Sequence, residues 1–367
     1  MSKPHARIFT SADADPSLLV GTKVAVVGYG NQGRSQALNL RDSGLEVVIG
    51  NRADEYRQRA RRDGFAVLDI PEAVGQGQAV LLLIPDEELP AVFDQAVRPY
   101  LQRGSAVVFA SGYAVAFGLL KPPEEEDVLL IAPRTIGVAV RERFLTHEGF
   151  YTLIGVHQDS TGKAWPRLLA LTAAVTGLYR PAIEVSFRQE AILDLFNEQA
   201  FGPAFGRVLL SAINVLLEAG LPPEAVLVEM YMSEEMADVY RTMARVGLIR
   251  QAGLHSQTSQ YGAMSRAVRF LDPRLPRKMR RIYREIASGA FAREWQNPLS
   301  RLKLRALRFL ASRQKLTGIE AEVRRRLGLS DPEGPETSTD CVSAKEADGQ
   351  KLEAVEHERE QGEACEE

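Results

Sequence analysis

The fold is decided by residues 23 to 33, which read Lys-Val-Ala-Val-Val-Gly-Tyr-Gly-Asn-Gln-Gly. Residues 24 to 27 form an apolar run that is typical of a buried parallel strand, and residues 36 to 40 continue as a predicted helix. Between them, glycines in the order G-x-G-x-x-G allow a tight turn, the approach of a pyrophosphate and close helix–strand packing. The free N–H groups at the helix N-terminus attract phosphate. The stretch therefore predicts a dinucleotide-binding loop formed by Gly28, Tyr29, Gly30, Asn31, Gln32 and Gly33.

Further apolar runs in the first half of the chain predict more strands of the same sheet. They lie at 46–50, 79–84, 106–110, 128–132 and 151–157. Their alternation with helical stretches predicts an α/β Rossmann fold with a doubly wound parallel sheet. Ligands bind beyond the carboxyl ends of the strands in such sheets. We therefore expect the loops at 85–88, 111–113 and 133–137 to line the cofactor crevice, with contributions from Pro85, Asp86, Ser111 and Pro133.

The pattern changes after about Pro181, where strand signals give way to long helical periodicities. From residue 331 onward the chain holds 13 acidic and 3 basic residues, a composition typical of disorder. The sequence thus predicts a Rossmann domain at 1–182, an all-helical domain at 183–330 and a disordered acidic tail at 331–367.

The composition argues against several classes of protein. Both cysteines, Cys341 and Cys365, lie in the tail, so the body has no disulfide framework, cysteine metal site or cysteine nucleophile. The basic helical stretches at 274–284 and 301–326 carry no nucleic-acid motif, so we expect no nucleic-acid partner. No apolar run approaches the roughly 20 residues that span a bilayer, and residues 1–15 lack a signal-peptide core. We expect a cytoplasmic protein without a membrane partner.

Three carboxylates lie on one stripe of a predicted helix. Glu190, Asp194 and Glu198 are spaced at i, i+4 and i+8 among apolar neighbours. Stacked carboxylates repel one another unless a cation or protons neutralise them, and Mg²⁺ prefers oxygen ligands of this kind. Periodicity alone leaves two interpretations open, a metal site and a solvated acidic stripe. A second acidic cluster follows on the next helix, at Glu229, Glu234, Glu235 and Asp238.

Several motifs together resemble those of the short, class I ketol-acid reductoisomerases, from about residue 20 to residue 327. The most specific is D-L-F-N-E-Q at 194–199, and others lie at 28–33, 85–87, 155–164, 256–262 and 289–295. The family reduces 2-aceto-2-hydroxy acids in branched-chain amino-acid synthesis. In that reaction one Mg²⁺ drives an alkyl migration with a second beside it, and NAD(P)H then reduces the rearranged ketone.

The resemblance implies roles for particular residues. Asp194 would bridge two Mg²⁺ ions, Glu198 would complete the first site, and Glu235 would reach the second from another copy of the chain. Ser256 would hydrogen-bond the carboxylate or hydroxyl of a small-molecule substrate. The resemblance also implies a knotted helical domain and a homodimer, or a higher homo-oligomer, with shared active sites.

Three positions depart from the family pattern. Ser111 replaces the usual histidine, Arg134 the usual lysine, and Tyr231 the glutamate four residues before Glu235. Both Ser111 and Arg134 stay catalytic candidates, but the second metal loses a ligand. We therefore expect a divergent member that reduces a 2-oxo-acid-like carbonyl or a related C=N group, in a specialised biosynthetic pathway. Two alternatives are an authentic reductoisomerase, in which Asp238 and Tyr231 complete the site, and a catalytically inactive cofactor-binding or regulatory protein.

The loop after the second strand indicates which dinucleotide binds. Asp54 lies about 20 residues beyond the glycines, where an acidic side chain binds the ribose 2′-hydroxyl of NAD and repels a 2′-phosphate. The resemblance places Arg52 near the adenosine. Alternatively, Asp54 only caps the following helix, and Arg57 and Arg59 leave NADPH as a second candidate. We predict that NADH is preferred.

Overall fold

The computed structural model describes residues 5–122 and 124–329. This part of the chain forms two compact units, the first ending at Ala191 and the second beginning at Ile192. That boundary lies beyond the predicted one at residue 182. The predicted tail at 331–367 lies outside the described residues.

The first unit is built on a nine-stranded sheet with the strand order β1-β9-β8-β7-β6-β5-β2-β3-β4. Its strands are β1 (Ile8–Phe9), β2 (Lys23–Val27), β3 (Glu46–Gly50), β4 (Ala66–Leu68), β5 (Ala79–Leu82), β6 (Ala106–Phe109), β7 (Asp127–Pro133), β8 (Thr152–Gln158) and β9 (Ala182–Glu184). Its helices are α1 (Asn31–Asp42), α2 (Glu55–Arg62), α3 (Ile70–Gln76), α4 (Leu89–Val92), α5 (Tyr113–Ala116), α6 (Gly137–Leu145) and α7 (Ala164–Thr176). The α/β fold class is confirmed.

The core lies on both faces of this sheet. Val24 and Val26 of β2 pack into one buried cluster, and Ala25 and Val27 pack into another. Successive side chains of a strand point to opposite faces, so a strand that is covered on both sides must be apolar throughout. This is why β2 reads as an uninterrupted apolar run.

The sheet is mixed rather than wholly parallel. Strands β2 to β7 pair in parallel, whereas β8 runs antiparallel to β7, and β1 runs antiparallel to β9. The six strands predicted from the sequence are confirmed. Strands β1, β4 and β9 are not predicted from the sequence, because they are two or three residues long and too short to show a periodicity.

The second unit is helical. Helix α8 (Phe187–Phe196) leads into it, and its further helices are α9 (Gly202–Glu218), α10 (Pro223–Leu227), α11 (Glu235–Val246), α12 (Leu248–Gln251), α13 (Gln257–Ala267), α14 (Arg274–Ala287), α15 (Ala290–Gln296), α16 (Pro298–Ser312) and α17 (Lys315–Arg326). Two segments widen to π-helix, at Asn197–Phe201 and Val228–Met232.

The helical stretch Phe187–Glu218 is long and apolar enough to cross a membrane by length and composition alone. This corrects the expectation that no apolar run approaches that length. Arg207 is the one charged residue between positions 199 and 217. The later part of the stretch is therefore apolar enough, by composition, to cross a membrane. The same composition occurs in helices that pack against protein.

Candidate functional site

The glycine-rich loop follows β2 and leads into α1. Gly28 has a φ of +94°, and a Cβ atom there would lie 2.5 Å from the carbonyl oxygen of Leu83. A Cβ atom on Gly33 would lie 2.1 Å from the carbonyl oxygen of Gly28. Both positions therefore require glycine. A Cβ atom on Gly30, in contrast, would meet nothing within 4 Å, so the loop leaves open space at the start of the helix.

That space suits a pyrophosphate. Gly30 is the N-cap residue of α1, and no side chain caps the first turn. The N–H groups of this turn therefore keep their capacity to bind an anion, and the helix dipole adds to the attraction. The chain fits a dinucleotide at the position that the sequence predicts, with Asn31 and Gln32 in the first turn of the helix.

A polar network below the loop holds it in place. The N–H of Tyr29 donates to Asn51 Oδ1 at 3.2 Å, and the buried Tyr29 hydroxyl donates to Asp63 Oδ2 at 2.8 Å. Arg34 Nε donates to the same Asp63 oxygen at 2.7 Å. Burial, reinforced by the bond to Asp63, raises the pKa of Tyr29. The Tyr29 side chain therefore supports the loop from the core instead of extending toward a ligand.

The loops after the neighbouring strands lie at the same edge of the sheet. Gln32 Nε2 donates to the carbonyl oxygen of Thr135 at 3.2 Å, which joins the glycine-rich loop to the loop after β7. Tyr113, after β6, lies within the field of Asp86, after β5. Burial, with a smaller contribution from Asp86, raises the pKa of Tyr113 to about 12. The loops at 85–88, 111–113 and 133–137 are thus assembled beside the predicted cofactor loop.

Glu190 ties two of these loops to helix α8. Its carboxylate is buried, and Oε2 accepts a hydrogen bond from the N–H of Gly112 at 2.6 Å. Arg134 Nη1 donates to Glu190 Oε1 at 3.3 Å. Ser111, which precedes Gly112, accepts a hydrogen bond from the N–H of Tyr113 at 3.2 Å. Two departures from the family pattern, Ser111 and Arg134, therefore lie around one buried carboxylate.

Glu190 was not predicted as a site residue. On the sequence it belongs to the same stripe as Asp194 and Glu198, and the stripe suggested one shared role. Its contacts with Gly112 and Arg134 give it a different role, because a carboxylate that already pairs with a guanidinium has its charge compensated. The one available signal was its position beside the apolar residues Ala191 and Ile192, which favours burial.

The loop after β3 places Asp54 at the N-cap of α2. Asp54 Oδ1 accepts a hydrogen bond from the N–H of Arg57 at 3.1 Å, and Oδ2 accepts one from Arg52 Nε at 3.0 Å. Capping, which the sequence left as an alternative for Asp54, is therefore present. It uses one carboxylate oxygen, and the second oxygen faces Arg52.

The remaining predicted site residues belong to the helical unit. Asp194 is half-buried, and Glu198 is exposed where the helix widens to a π-turn, a feature that often marks functional sites. Glu235 is the exposed first residue of α11. Ser256 caps α13 and accepts a hydrogen bond from the N–H of Ser259 at 3.2 Å. Within residues 5–122 and 124–329, no group of three His, Cys, Asp or Glu side chains lies close enough together to hold a metal ion by itself.

Both candidate substitutes for the missing glutamate are engaged elsewhere. The Tyr231 hydroxyl donates to Glu320 Oε1 at 2.8 Å, and burial together with this bond raises the pKa of Tyr231. Asp238 is exposed and accepts two hydrogen bonds from Arg241, at 3.2 Å and 2.5 Å. The two side chains therefore bond to Glu320 and Arg241, and their completion of a metal site stays a prediction.

Family models match both units of the chain. The model described as "Acetohydroxy acid isomeroreductase, NADPH-binding domain" covers residues 18–180, and the model "Ketol-acid reductoisomerase, C-terminal domain" covers residues 187–328. The chain belongs to the ketol-acid reductoisomerase family. Membership makes it an NAD(P)-dependent oxidoreductase, and it confirms the family resemblance drawn from the sequence motifs.

Relatives and a solved structure agree with this assignment. The chain is 37% identical to "Ketol-acid reductoisomerase (NADP(+))" of Methanopyrus kandleri, over 89% of this chain and 100% of that protein. It is 36% identical to the protein of the same name from Pyrobaculum calidifontis, over 88% and 99%. A solved structure of an NADH-preferring ketol-acid reductoisomerase from an uncultured archean superposes with a TM-score of 0.81 at 33% identity, covering 87% of this chain and 98% of that one.

Proposed function

We propose that this protein is a divergent ketol-acid reductoisomerase that has kept carbonyl reduction and lost alkyl migration. Its substrate is a 2-oxo acid or a related C=N compound, used in a specialised biosynthetic pathway. The observation that carries this proposal is the contact between Tyr231 and Glu320, because it removes the nearest replacement for the missing metal-binding glutamate. Asp238, the other replacement, pairs with Arg241.

The residues present fit one divalent cation better than two. Asp194 and Glu198 lie one helical turn apart and supply the hard oxygen ligands that Mg²⁺ takes, usually one or two carboxylates with water and substrate oxygens. A Mg²⁺ ion held there would polarise the substrate carbonyl as a Lewis acid. Glu235 of a second copy is the remaining candidate ligand. A second ion, left with fewer carboxylates, would bind weakly.

The chain's own residues account for binding and orientation. The helix N-terminus at Gly30 would hold the pyrophosphate of the nicotinamide cofactor, which would supply the hydride when bound. Arg134, partly exposed and held by its ion pair with Glu190, would present guanidinium N–H donors to the carboxylate of a 2-oxo acid. Ser256 uses its oxygen to cap α13 and keeps its hydroxyl proton to donate to the substrate. Ser111 supplies a smaller hydroxyl where the family has an imidazole.

The cofactor is NADH, with NADPH as the weaker ligand. Asp54 supports this preference, because it follows the second strand about 20 residues beyond the glycines, where an acidic side chain binds a ribose 2′-hydroxyl in Rossmann folds and would repel a 2′-phosphate. Titration of the full-length protein with each reduced cofactor tests this, and we expect the lower dissociation constant for NADH. A lower value for NADPH would refute the preference.

The active form is a homodimer or a higher homo-oligomer that shares sites between copies. The helical unit exposes large apolar side chains, among them Ile249 at 80%, Phe270 at 79% and Leu271 at 79%. Such surfaces usually bind protein or membrane, and family membership favours a second copy of the chain over a bilayer or a nucleic acid. Sedimentation of the full-length protein should give twice the chain mass or a multiple of it, and a monomer would contradict the shared site.

We also propose a cytoplasmic location.

Turnover assays test the proposed reaction. Full-length protein with Mg²⁺ and NADH should consume NADH with at least one member of a panel of 2-oxo acids and cyclic imino acids. Tight binding of NADH without any turnover would favour the inactive, regulatory alternative. Efficient conversion of 2-acetolactate to dihydroxyisovalerate would instead favour an authentic reductoisomerase of branched-chain amino-acid biosynthesis, an alternative supported by the retained Asp194, Glu198, Glu235 and Ser256.

A further inference from the structure

Arg52 lies between carboxylates from two different loops. Its Nε donates to Asp54 Oδ2 at 3.0 Å, and its Nη1 donates to Glu88 Oε2 at 3.1 Å. Asp54 belongs to the loop after β3, and Glu88 belongs to the loop after β5, at the carboxyl edge of the sheet. The guanidinium is thus bonded from two sides.

Asp54 and Glu88 form a clamp on Arg52, and Asp54 cannot follow the guanidinium toward a ligand because it is anchored. Its Oδ1 accepts hydrogen bonds from Asn51 Nδ2 at 2.7 Å and from the N–H of Arg57 at 3.1 Å. Asn51 also binds the N–H of Tyr29, so the anchor extends to the glycine-rich loop. Movement of Arg52 toward a phosphate would therefore break its bond to Asp54 instead of carrying that carboxylate along.

Arg57, a second cation of this loop, is also engaged. Its Nη1 donates to Asp69 Oδ1 at 2.5 Å and to the carbonyl oxygen of Asn51 at 3.2 Å. Around Arg52 itself, two carboxylates outnumber one guanidinium, so this cluster carries a net negative charge. A dianionic 2′-phosphate would meet that charge, and the positive charge of each arginine is already paired with a carboxylate.

We propose that Glu88 is a cofactor-specificity residue, which holds Arg52 away from a 2′-phosphate and adds negative charge beside it. The proposal rests on the NADH preference argued above and assigns part of that preference to a side chain outside the loop after β3. Exposed ion pairs contribute about 0–1 kcal/mol each, so the release of Arg52 should change NADPH affinity by roughly fivefold.

The test compares Glu88→Gln with Glu87→Gln in the full-length protein. Glu87 is the exposed neighbour in the same loop, so its variant removes the same charge at a position that does not bond to Arg52. We expect Glu88→Gln to lower the dissociation constant for NADPH by about fivefold and to leave that for NADH within about twofold. Glu87→Gln should leave the ratio of the two constants unchanged. Equal ratios in Glu88→Gln and wild type would overturn the proposal.

A double variant separates the clamp from the charge. Arg52→Ala combined with Glu88→Gln should lose most of the gain in NADPH affinity, since the released guanidinium is its main source. A gain that persists in full without Arg52 would overturn the proposal that Glu88 acts by holding Arg52. The ratio of the NADPH and NADH dissociation constants of the wild type is a separate readout. Tighter binding of NADPH than of NADH to the wild type would refute the proposed cofactor but would leave the effect of Glu88 measurable.

Discussion

Arg134 donates a hydrogen bond to the buried carboxylate of Glu190 at 3.3 Å, and this pair joins the loop after β7 to helix α8. The second oxygen of Glu190 accepts the N–H of Gly112. A single carboxylate thereby fixes two of the loops at the edge where the cofactor is expected.

Replacing Glu190 tests that arrangement. Glu190→Gln keeps the shape of the side chain but removes the charge that compensates Arg134, so we expect the free energy of unfolding to fall by about 2 kcal/mol. Urea titration measures this. The matched variant Glu142→Gln, at an exposed position of the same unit, should change stability by less than about 0.5 kcal/mol. Equal effects would show that Glu190 has no special structural role.

Two glycines of the cofactor loop should respond differently to alanine. Gly30→Ala adds a methyl group to open space, so we expect normal stability and a dissociation constant for NADH raised by about tenfold. Gly33→Ala places a Cβ atom 2.1 Å from the Gly28 carbonyl, so we expect a loss of about 2 kcal/mol in the free energy of unfolding. Thermal unfolding and NADH titration of both variants check the contrast. Unchanged NADH binding in Gly30→Ala would place the pyrophosphate elsewhere.

Much of the glycine-rich cofactor loop could be predicted from the sequence, because its geometry depends on residues that are neighbours in the chain. A strand, three spaced glycines and a helix specify the geometry within eleven residues. The contacts of Glu190 with Gly112 and Arg134 join residues 78 and 56 positions apart, and no periodicity reports them. For the same reason, the sequence does not predict the hydrogen bond of the Tyr231 hydroxyl, because its partner Glu320 is 89 residues away. The short strands β1, β4 and β9 depend on neighbouring strands rather than on their own sequence.

Tyr113 carries a buried hydroxyl that has no hydrogen-bond partner within the described residues. An unsatisfied buried hydroxyl costs about 1–3 kcal/mol, so Tyr113→Phe should raise the free energy of unfolding at pH 7 by about 1 kcal/mol. Denaturant titration checks this. A lower stability of the variant would mean that the hydroxyl makes a stabilising contact.

The same residue predicts a dependence on alkaline pH. Burial and Asp86 raise the pKa of Tyr113 to about 12 in the folded protein, whereas an unfolded tyrosine has a pKa near ~10. The unfolded state therefore loses its proton first, and this contribution to stability is complete below about pH 10 and declines above it. Between pH 9 and pH 11 the wild type should lose about 1 kcal/mol more than Tyr113→Phe. Parallel curves for the two proteins would contradict the raised pKa.

Tyr231 tests whether the authentic reductoisomerase site has been rebuilt. Because its hydroxyl bonds to Glu320, Tyr231→Phe should lower stability by about 1 kcal/mol and leave the Mg²⁺ concentration for half-maximal activity within about twofold. Asp194→Asn is the reference for a lost metal ligand and should raise that concentration by about tenfold or more. A comparable rise in Tyr231→Phe would identify the tyrosine as a ligand.

We propose above all that this protein reduces a carbonyl without first moving an alkyl group. Its most direct test supplies full-length protein, Mg²⁺ and NADH with either 2-acetolactate or its already rearranged isomer, 3-hydroxy-3-methyl-2-oxobutanoate, and follows the oxidation of NADH. We predict that the rearranged 2-oxo acid is reduced at least about a hundredfold faster, since only this substrate bypasses the step that needs both metal ions. Equal rates with the two substrates would contradict the claim.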